Sequence, residues 1–345
     1  MSSLETGASA AELDRLAGEL GDLVRREVPI GPLTTYRVGG AARLYAEPNS
    51  SDELDRLLSG LAAASVSVPV LVVGKGSNLL VADRGWDGLC VHLGEGFSAI
   101  ELDGLDVIAG GATAYPVLAR RTAAAGLTGM EWAVGIPGSV GGAVRMNAGG
   151  HGSETRQRLV CCRVADLAAG TSRWAPVDEL GLSYRHSAIA ATDLVVSARF
   201  RLEQGDVTES AVRIAEIVRW RRQNQPGGQN AGSVFTNPPG DSAGRLIDAA
   251  GLKDYRIGSA AVSEKHANFI QADPSGSADD VRRLVEAVQR AVAERLGVHL
   301  DVELQMVGWG RPSGAPAGDL PGVPGDPLAG RDPSSGHADP SCSEA

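Results

Sequence analysis

The glycine-rich segment GIPGSVGGAVRMNAGGHG, at residues 135–152, decides how the fold of this chain is interpreted. It contains Asn147 and shows no apolar period typical of a helix or a strand. A segment of this length without regular structure is uncommon in a compact domain unless it has a function. Because glycine lets the backbone turn tightly and approach a ligand closely, the segment indicates a binding loop.

A second glycine loop, GKGSN at residues 74–78, follows the apolar run VPVLVVG at residues 68–74. Glycines at such a position let backbone N–H groups turn toward an anion. An ordinary tight turn is the alternative, because Leu79 stands where a dinucleotide-binding fingerprint needs its third glycine and the P-loop sequence is absent. Two such loops in one region predict a ligand with an extended phosphate backbone, such as a dinucleotide.

The elements around the two loops alternate between helix and strand. An amphipathic pattern predicts a helix over residues 12–28, and Ser50 with Glu53 forms a capping-box signal for a helix over residues 52–64. A strand before this second helix and the buried run after it indicate an α/β unit. Further short pieces follow between glycine turns, with strands expected at residues 42–48, 68–74, 89–93, 105–111, 161–167 and 193–200 and a helix at 115–126.

A second region begins near Val207 and is mainly helical. Apolar periods predict three helices, at residues 208–222, 242–251 and 281–297. Ser277 and Asp280 are cap signals for the last of them. The final strand, residues 298–307, alternates apolar and polar positions and places Glu303 on its polar face. The pattern over residues 74–202 is thus an α+β arrangement built around glycine loops, and the residues of the chain as a whole predict an α/β protein with two anion-binding loops.

Composition and charge exclude several classes of protein. The 345 residues are 43% hydrophobic and 21% charged, which is typical of a folded globular protein. A net charge of −10 disfavours nucleic acid and anionic membranes as partners, because the summed field would repel both. Neither a secretory signal nor an apolar run of about 18 residues for a membrane span is found. We therefore expect a cytoplasmic protein.

Cysteine, glycine and proline usage adds further expectations. The four cysteines show no spacing typical of a zinc site or a disulfide framework, so reduced thiols and no bound metal are expected. Seven of the 18 prolines lie between Pro312 and Pro340. Residues 311–345 also lack an apolar period, and they are predicted to form a disordered tail.

Several polar residues are candidates for chemistry, although they form no self-sufficient catalytic motif. Arg185, in YRHS, suits capture of a carboxylate, but a solvated arginine is the default interpretation. Ser233, in NAGSVF, has no histidine beside it in sequence, so a Ser-His hydrolase has no support. His266 is more typical of a packed histidine and Glu303 of a solvated carboxylate. These residues alone name no reaction.

Taken in order, the motifs resemble the MurB family, the FAD-dependent UDP-N-acetylenolpyruvoylglucosamine reductases of peptidoglycan synthesis. Any one motif is weak, but eight collinear matches between about residues 34 and 308 are highly specific. The matching pieces are TTYRVGG, VGKGSNLLVAD, GLTGMEWAVGIPGSVGGAVRMNAGGHG, LSYRHS, NAGSVFTNP, AGRLIDAAGLK, HANFI and DVELQMVG.

The resemblance implies an FAD-binding domain of the vanillyl-alcohol-oxidase (PCMH) type over residues 31–206 and a C-terminal α+β substrate-binding domain over residues 207–310. An N-terminal extension with a helix, residues 1–30, would precede them, and the tail, residues 311–345, would follow. FAD would be held noncovalently, since the first loop has no histidine for attachment. The residues expected to contact it are Gly74, Lys75, Gly76, Ser77, Asn78, Leu79, Ile136, Gly138, Ser139, Gly142 and Asn147.

The implied chemistry has two halves. NADPH reduces FAD and leaves, and the enolpyruvyl ether of UDP-N-acetylglucosamine then accepts the hydride at C3 and a proton at C2. By motif, Ser233 matches the proton donor, Arg185 the arginine that binds the substrate carboxylate, and Glu303 the catalytic glutamate near C2. Substrate contacts are expected from Tyr184, Asn237 and His266. No obligatory protein partner is inferred.

Two departures from the family pattern affect these expectations. Asn224 stands where many members carry a lysine thought to contact phosphates, so Arg221 or Arg222 is expected to substitute. The stretch between RFRLEQGD, residues 199–206, and the next helix is short, which resembles the second, shorter type of the family. A related flavin oxidase acting on an alcohol and a non-catalytic nucleotide-binding scaffold are the alternatives, and the presence of Arg185, Ser233 and Glu303 argues against both.

Overall fold

A computed structural model describes residues 8–64 and 67–310 of the chain. The predicted tail, residues 311–345, lies outside the described residues. Within them, no helix is long and apolar enough to cross a membrane.

The described residues form seven α-helices. Their bounds are α1 Ala10–Leu20, α2 Ser51–Ala64, α3 Tyr115–Ala124, α4 Val140–Arg145, α5 Val207–Asn224, α6 Ala243–Ala249 and α7 Ala278–Leu296. The predicted caps of α2 and α7 are observed, since Ser50 Oγ accepts from the Glu53 N–H and Ser277 Oγ accepts from the N–H groups of Asp279 and Asp280.

The strands are short and are distributed over several sheets. Their bounds are β1 Val24–Pro29, β2 Ala41–Ala46, β3 Val70–Val73, β4 Leu79–Val81, β5 Trp86–His92, β6 Ile100–Asp103, β7 Asp106–Gly110, β8 Leu127–Thr128, β9 Gly149–Gly150, β10 Ser153–Glu154, β11 Leu159–Asp166, β12 Thr171–Pro176, β13 Asp193–Arg201, β14 Glu203–Gln204, β15 Arg256–Ile257, β16 Ala260–Val262, β17 Ile270–Ala272 and β18 Gln305–Val307.

The first sheet has the order β1-β2-β5-β3. Strands β2 and β3 both run parallel to β5, which lies between them. The predicted unit of strand, helix and buried strand is therefore observed, with α2 as its crossover helix. Helix α1 packs on α2, and their leucines share one apolar core with β2 and β5.

The predicted helix over residues 12–28 is wrong in its second half. Helix α1 ends at Leu20, where Gly21 adopts a left-handed φ of +54°, a conformation that glycine accepts without steric cost. Residues 24–29 instead form β1, antiparallel to β2. Val24 and Val28, four residues apart, lie on one side of either a helix or a strand, so their spacing could not distinguish the two.

The second sheet is antiparallel, with the order β12-β11-β13-β7-β6. Helices α3, α4 and α5 contribute to the apolar core on this sheet. Buried Glu131 connects α5 to the turn at residues 131–135, because its carboxylate accepts from Ser210 Oγ at 2.6 Å and from Thr128 Oγ1 at 2.7 Å. Burial alone would raise the pKa of Glu131, but these hydrogen bonds lower it below the usual value.

In the C-terminal part, α7 packs against the small sheet β15-β16-β17, and α6 packs against α7. Its core continues into the N-terminal part through Tyr36, Val38 and Leu80. Asp83 further connects the two parts, since its carboxylate accepts from Ser277 Oγ at 2.5 Å and from the Ala278 N–H at 2.9 Å at the start of α7.

The predicted final strand, residues 298–307, is only partly regular. Leu300 and Leu304 are buried and Asp301 is exposed, as the alternation requires, but only β18 is a strand, and it pairs in parallel with β4. The reason is local, because the N–H groups of both Glu303 and Leu304 point to the Val234 carbonyl. Residue Glu303 thereby occupies an irregular position beside a loop of the C-terminal part.

Candidate active site

A cavity of about 1040 Å³ lies between the glycine loops, the loop at residues 225–237 and the segment at residues 303–309. This volume is at the upper end of the range of about 300–1,000 Å³ for small-molecule sites, so it suits a large ligand. Most of the predicted site residues line it, namely Gly74, Lys75, Gly76, Ser77, Asn78, Leu79, Ile136, Gly138, Ser139, Gly142, Tyr184, Arg185, Ser233, Asn237 and Glu303.

The first glycine loop, residues 74–78, packs closely against the segment that contains Thr34. Gly76 has a φ of +57°, and a Cβ added to it would lie 2.6 Å from the Cα of Thr34. Its position therefore admits only glycine without strain. The adjoining Asn78 reaches the other wall, because its Nδ2 donates to the Glu303 carbonyl at 3.0 Å and its carbonyl accepts from the Gln305 N–H at 3.1 Å.

The two glycine loops approach each other directly. A Cβ on Gly74 would lie 2.5 Å from Ser139 Oγ, and one on Gly138 would lie 3.1 Å from Ser77 Oγ. Ser139 Oγ in turn accepts from the Gly142 N–H at 3.3 Å. The absence of side chains at these glycines leaves backbone facing the cavity, which fits an extended cofactor such as FAD lying along both loops.

Asn147, predicted to contact the cofactor, does not line the cavity. It is fully buried with a φ of +40°, and its Nδ2 donates to the Ser183 carbonyl at 2.9 Å and to Glu154 Oε2 at 3.0 Å. Its Oδ1 accepts from the Arg156 N–H at 3.0 Å. The Asn147 side chain thus holds the second glycine loop against the turn that carries Arg185, and its contact with the cofactor stays a prediction.

Arg185 and Glu303 form an ion pair across the cavity. Arg185 Nε lies 3.2 Å from Glu303 Oε1, and the two side chains are only 23% and 17% exposed. Arg185 also donates from Nη2 to the Gly149 carbonyl at 2.8 Å and lies 5.1 Å from the ring centre of exposed Tyr184. The guanidinium is thus fixed by the glycine loop on one side and by a carboxylate on the other.

Burial raises the pKa of Glu303 above its usual value, although the Arg185 guanidinium acts in the opposite direction. Desolvation penalises the ionised carboxylate, whereas an adjacent cation favours it. Glu303 therefore holds its proton to higher pH than a solvated glutamate, contrary to the default interpretation of a solvated strand residue. A carboxyl with a raised pKa is suited to exchange a proton with a bound ligand.

Ser233 and Asn237 lie on the loop that follows α5. The Ser233 side chain is half-buried, and within the described residues no hydrogen-bond partner occupies its hydroxyl. Its neighbour Val234 accepts from the Glu303 N–H at 2.8 Å, so Ser233 and Glu303 are held on adjoining segments. Asn237 Oδ1 accepts from the Ala243 N–H at 3.0 Å and is therefore partly engaged at the start of α6.

His266, predicted to contact the substrate, is not among the residues that line the cavity. Its ring packs on Phe269 at 4.8 Å between ring centres, and Phe269 is the residue that faces the cavity. Burial lowers the pKa of His266. The structure thus places His266 behind the cavity wall, as its default interpretation as a packed histidine expects.

Asn224 does not reach the cavity, and of the two arginines expected to substitute for it only Arg221 does. The Asn224 side chain donates to the Trp220 carbonyl at 2.8 Å. Arg221 Nε donates to Gln225 Oε1 at 2.7 Å, and burial lowers the pKa of its guanidinium. Arg222 instead presents its carbonyl to Lys265 Nζ at 2.6 Å.

Sequence reasoning missed several residues of the cavity wall. They include Arg145, His151, Trp220, Gln225, Asn230, Gln305 and Trp309. His151 lies in the predicted glycine loop and Trp220 on a predicted helix, so both belong to segments that the sequence had already identified. Their distance apart along the chain concealed that the fold brings them together.

The site combines glycine loops that expose backbone to a large cavity, an arginine–glutamate pair and a serine whose hydroxyl has no hydrogen-bond partner among the described residues. These features define a cofactor-dependent enzyme, and the cofactor domain assigns its class. The FAD binding domain model matches residues 42–175. The fold is α+β, with a PCMH-type FAD-binding domain followed by a C-terminal domain. The protein is therefore an FAD-dependent oxidoreductase.

The C-terminal part identifies the family. The model of the UDP-N-acetylenolpyruvoylglucosamine reductase C-terminal domain matches residues 223–307. A UDP-N-acetylenolpyruvoylglucosamine reductase of Acidiphilium cryptum is 42% identical over 299 residues, which are 86% of this chain and 94% of that relative. One of Rubrobacter xylanophilus is 42% identical over 282 residues, or 81% of this chain and 94% of the relative.

A solved structure agrees with these relatives. The crystal structure of UDP-N-acetylenolpyruvylglucosamine reductase (MurB) from Thermus caldophilus has a TM-score of 0.71 to this chain and is 37% identical to it. The match covers 82% of this chain and 99% of that one. The chain belongs to the UDP-N-acetylenolpyruvoylglucosamine reductase (MurB) family, and the predicted family, fold class and FAD dependence are confirmed.

Proposed function

We propose that this enzyme uses NADPH and bound FAD to reduce UDP-N-acetyl-3-O-(1-carboxyvinyl)glucosamine to UDP-N-acetylmuramate, a precursor of peptidoglycan. The observation that carries the proposal is the placement of Arg185, Glu303 and Ser233 around one cavity beside the FAD-binding loops. FAD, when bound there, supplies the hydride chemistry that amino-acid side chains lack. The remaining work is done by residues of this chain.

Arg185 is proposed to bind the substrate carboxylate. Its planar guanidinium suits a carboxylate, and it remains cationic throughout the physiological pH range. Its bonds to the Gly149 carbonyl and to Glu303 fix its direction before substrate arrives. A preorganised cation stabilises the negative charge that develops beside the carboxylate when hydride adds to C3 of the enol ether.

Ser233 is proposed to deliver the proton to C2 of the substrate. A serine hydroxyl is a weak acid, so this role depends on positioning and on stabilisation of the charge that remains. The hydrogen bond between Val234 and Glu303 keeps the Ser233 segment beside a cationic guanidinium and a carboxyl of raised pKa. Glu303 is proposed to act at C2 with Ser233.

Arg221 is proposed to take the role of the missing lysine in binding ligand phosphates. It is half-buried, lines the cavity and is held by Gln225 rather than by a carboxylate. Its charge is therefore not neutralised by an acidic partner among the described residues. Tyr184 and Asn237, which line the same cavity, are proposed as substrate contacts.

Separate measurement of the two half-reactions tests the proposal. Stopped-flow absorbance should show that NADPH reduces the flavin and that the UDP-enolpyruvyl substrate reoxidises it without oxygen. Ser233→Ala should leave flavin reduction nearly intact and slow reoxidation by about 10²-fold or more, the scale of a lost proton donor. Ser233→Cys, which retains a donor, should recover part of the rate.

Two outcomes would contradict the proposal. Equal loss of rate in both half-reactions of Ser233→Ala would remove the proton-donor role. Reoxidation by oxygen at the same rate with and without the UDP-enolpyruvyl substrate would favour an oxidase.

We further propose domain limits at residues 31–206 and 207–310. We also propose a cytoplasmic location, because NADPH and UDP-sugars are intracellular metabolites.

A further inference from the structure

Two aromatic side chains that the proposed chemistry does not use meet at one end of the cavity. The rings of His151 and Trp220 lie 5.3 Å apart between centres at an interplanar angle of 87°. Both residues line the cavity, although they come from the second glycine loop and from the last turns of α5. An edge-to-face pair of this kind is a favourable aromatic contact.

His151 is held in place by a tight hairpin. Strands β9 and β10 pair directly on either side of His151 and Gly152, and these two residues have φ values of +54° and +83°. A two-residue turn with both φ values positive is the type I′ hairpin, which favours asparagine and glycine. A histidine at the first of these positions is unusual, and a strained residue beside a binding site suggests a function.

The histidine ring also packs in a defined position. A Cβ on Gly135 would lie 3.1 Å from His151 Nε2 and 3.4 Å from Ile217 Cγ2. The imidazole thus lies over bare glycine backbone, next to α5 and Trp220. Burial, and then the charge of Arg221, lowers the pKa of His151, so the ring is neutral at pH 7 and packs as an aromatic group.

Trp220 remains 46% exposed in spite of this contact. Its backbone is fixed, because the Asn224 side chain donates to the Trp220 carbonyl at 2.8 Å. Next to it in sequence, Arg221 presents a half-buried guanidinium to the same cavity. A flat, apolar ring surface therefore lies beside a cation, which is the arrangement that suits a heteroaromatic ring joined to phosphates.

We propose that Trp220, braced by His151, is a stacking surface for the heteroaromatic ring of a nucleotide ligand whose phosphates bind Arg221. The inference rests on the proposed function, in which both the UDP-sugar and NADPH enter this cavity. The shared chemistry is a planar nucleotide ring, and the two ligands are its two possible sources. Stacking of one base on an aromatic side chain contributes about 1–3 kcal/mol, or roughly 5- to 150-fold in affinity.

Calorimetric titration of the FAD-loaded enzyme with UDP, NADP⁺ and inorganic pyrophosphate tests the stacking surface without turnover. Trp220→Ala should weaken binding of UDP, NADP⁺ or both by about 10-fold and leave pyrophosphate binding unchanged. Trp220→Phe should retain most of the affinity, and His151→Ala should give a smaller loss than Trp220→Ala. Trp174→Phe, on β12 and outside the cavity, serves as the control.

The pattern of losses separates the explanations. Weakening of UDP alone places the uracil on Trp220, and weakening of NADP⁺ alone places a ring of that cofactor there. Equal weakening of all three ligands would show that Trp220 only positions Arg221, and unchanged affinities would also overturn the proposal. Turnover of the wild-type enzyme is measured separately, so failure of the proposed reaction is distinguished from failure of the stacking surface.

Discussion

Replacement of Arg185 by methionine should make the stability of the protein depend on the ionisation of Glu303. Methionine keeps an unbranched, flexible stem and removes the charge 3.2 Å from the carboxylate. At an effective dielectric constant of about 20, two unit charges at this distance attract by about 5 kcal/mol. Because both side chains retain some exposure, 23% and 17%, this value is an upper bound.

The loss of this attraction also changes the pKa of Glu303. An adjacent cation lowers a carboxyl pKa, so its removal raises the already raised pKa of Glu303 further. Below the unfolded pKa of about 4.3 both states are protonated and no difference arises. As the pH rises, the unfolded chain ionises first, so the variant loses stability relative to wild type by pH 8, with the Coulomb value of about 5 kcal/mol as the upper bound.

Urea unfolding of the FAD-saturated proteins at pH 5 and pH 8 measures this difference. The destabilisation by Arg185→Met should be larger at pH 8, and the pH-dependent part should vanish in the Arg185→Met/Glu303→Gln double variant. Arg185→Lys keeps the charge and is the matched control. An equal loss at both pH values would show that the guanidinium acts on Gly149 alone, which would refute the electrostatic argument.

Three further substitutions test the scaffold of the site. Gly76→Ala should abolish FAD retention in size-exclusion chromatography because its Cβ would meet Thr34 backbone, whereas Gly227→Ala, with open space around it, should retain flavin. Asn147→Ala should cost about 2–5 kcal/mol in urea unfolding, since it leaves several buried polar groups unpaired, and a loss below 1 kcal/mol would contradict its structural role. Ser210→Ala should destabilise the protein by about 1–2 kcal/mol at pH 7. Because its pKa is lowered, the hydrogen-bonded Glu131 carboxylate stabilises the fold above about pH 4.5, and this stabilisation is lost in acid. The loss of stability in Ser210→Ala should therefore shrink toward pH 3, and a loss that stays constant would contradict this role of Glu131.

Local patterns predicted most of the fold. The capping signal at Ser50, the buried run of β3 and the apolar stripe of α7 each depend on neighbours in sequence, and all three appear as expected. The helix predicted over residues 12–28 was wrong in its second half because the spacing of Val24 and Val28 fits both a helix and a strand. This ambiguity was resolved by Gly21 and by the pairing of β1 with β2, a contact that no local pattern contains.

The candidate site was predicted through motifs, and the structure adds contacts that motifs do not record. Asn147 belongs to a binding motif, and the fold turns its side chain into the protein, where it holds the loop. Contact between His151 and Trp220 joins two elements far apart in the chain. Positions of this kind are determined by packing between the two parts of the molecule, which neither periodicity nor spacing records.

The parallel pairing of β18 with β4 has a consequence for how the enzyme is made. Residues 79–81 leave the ribosome long before residues 305–307, so the nascent cofactor domain carries an unsatisfied strand edge until residues 305–307 have been made. Glu303 arrives with that last strand, next to the Asn78 side chain. The Glu303 carboxyl, proposed to act at C2 of the substrate, is therefore delivered only after the cofactor domain has been made, and a nascent chain that had already captured flavin would lack it.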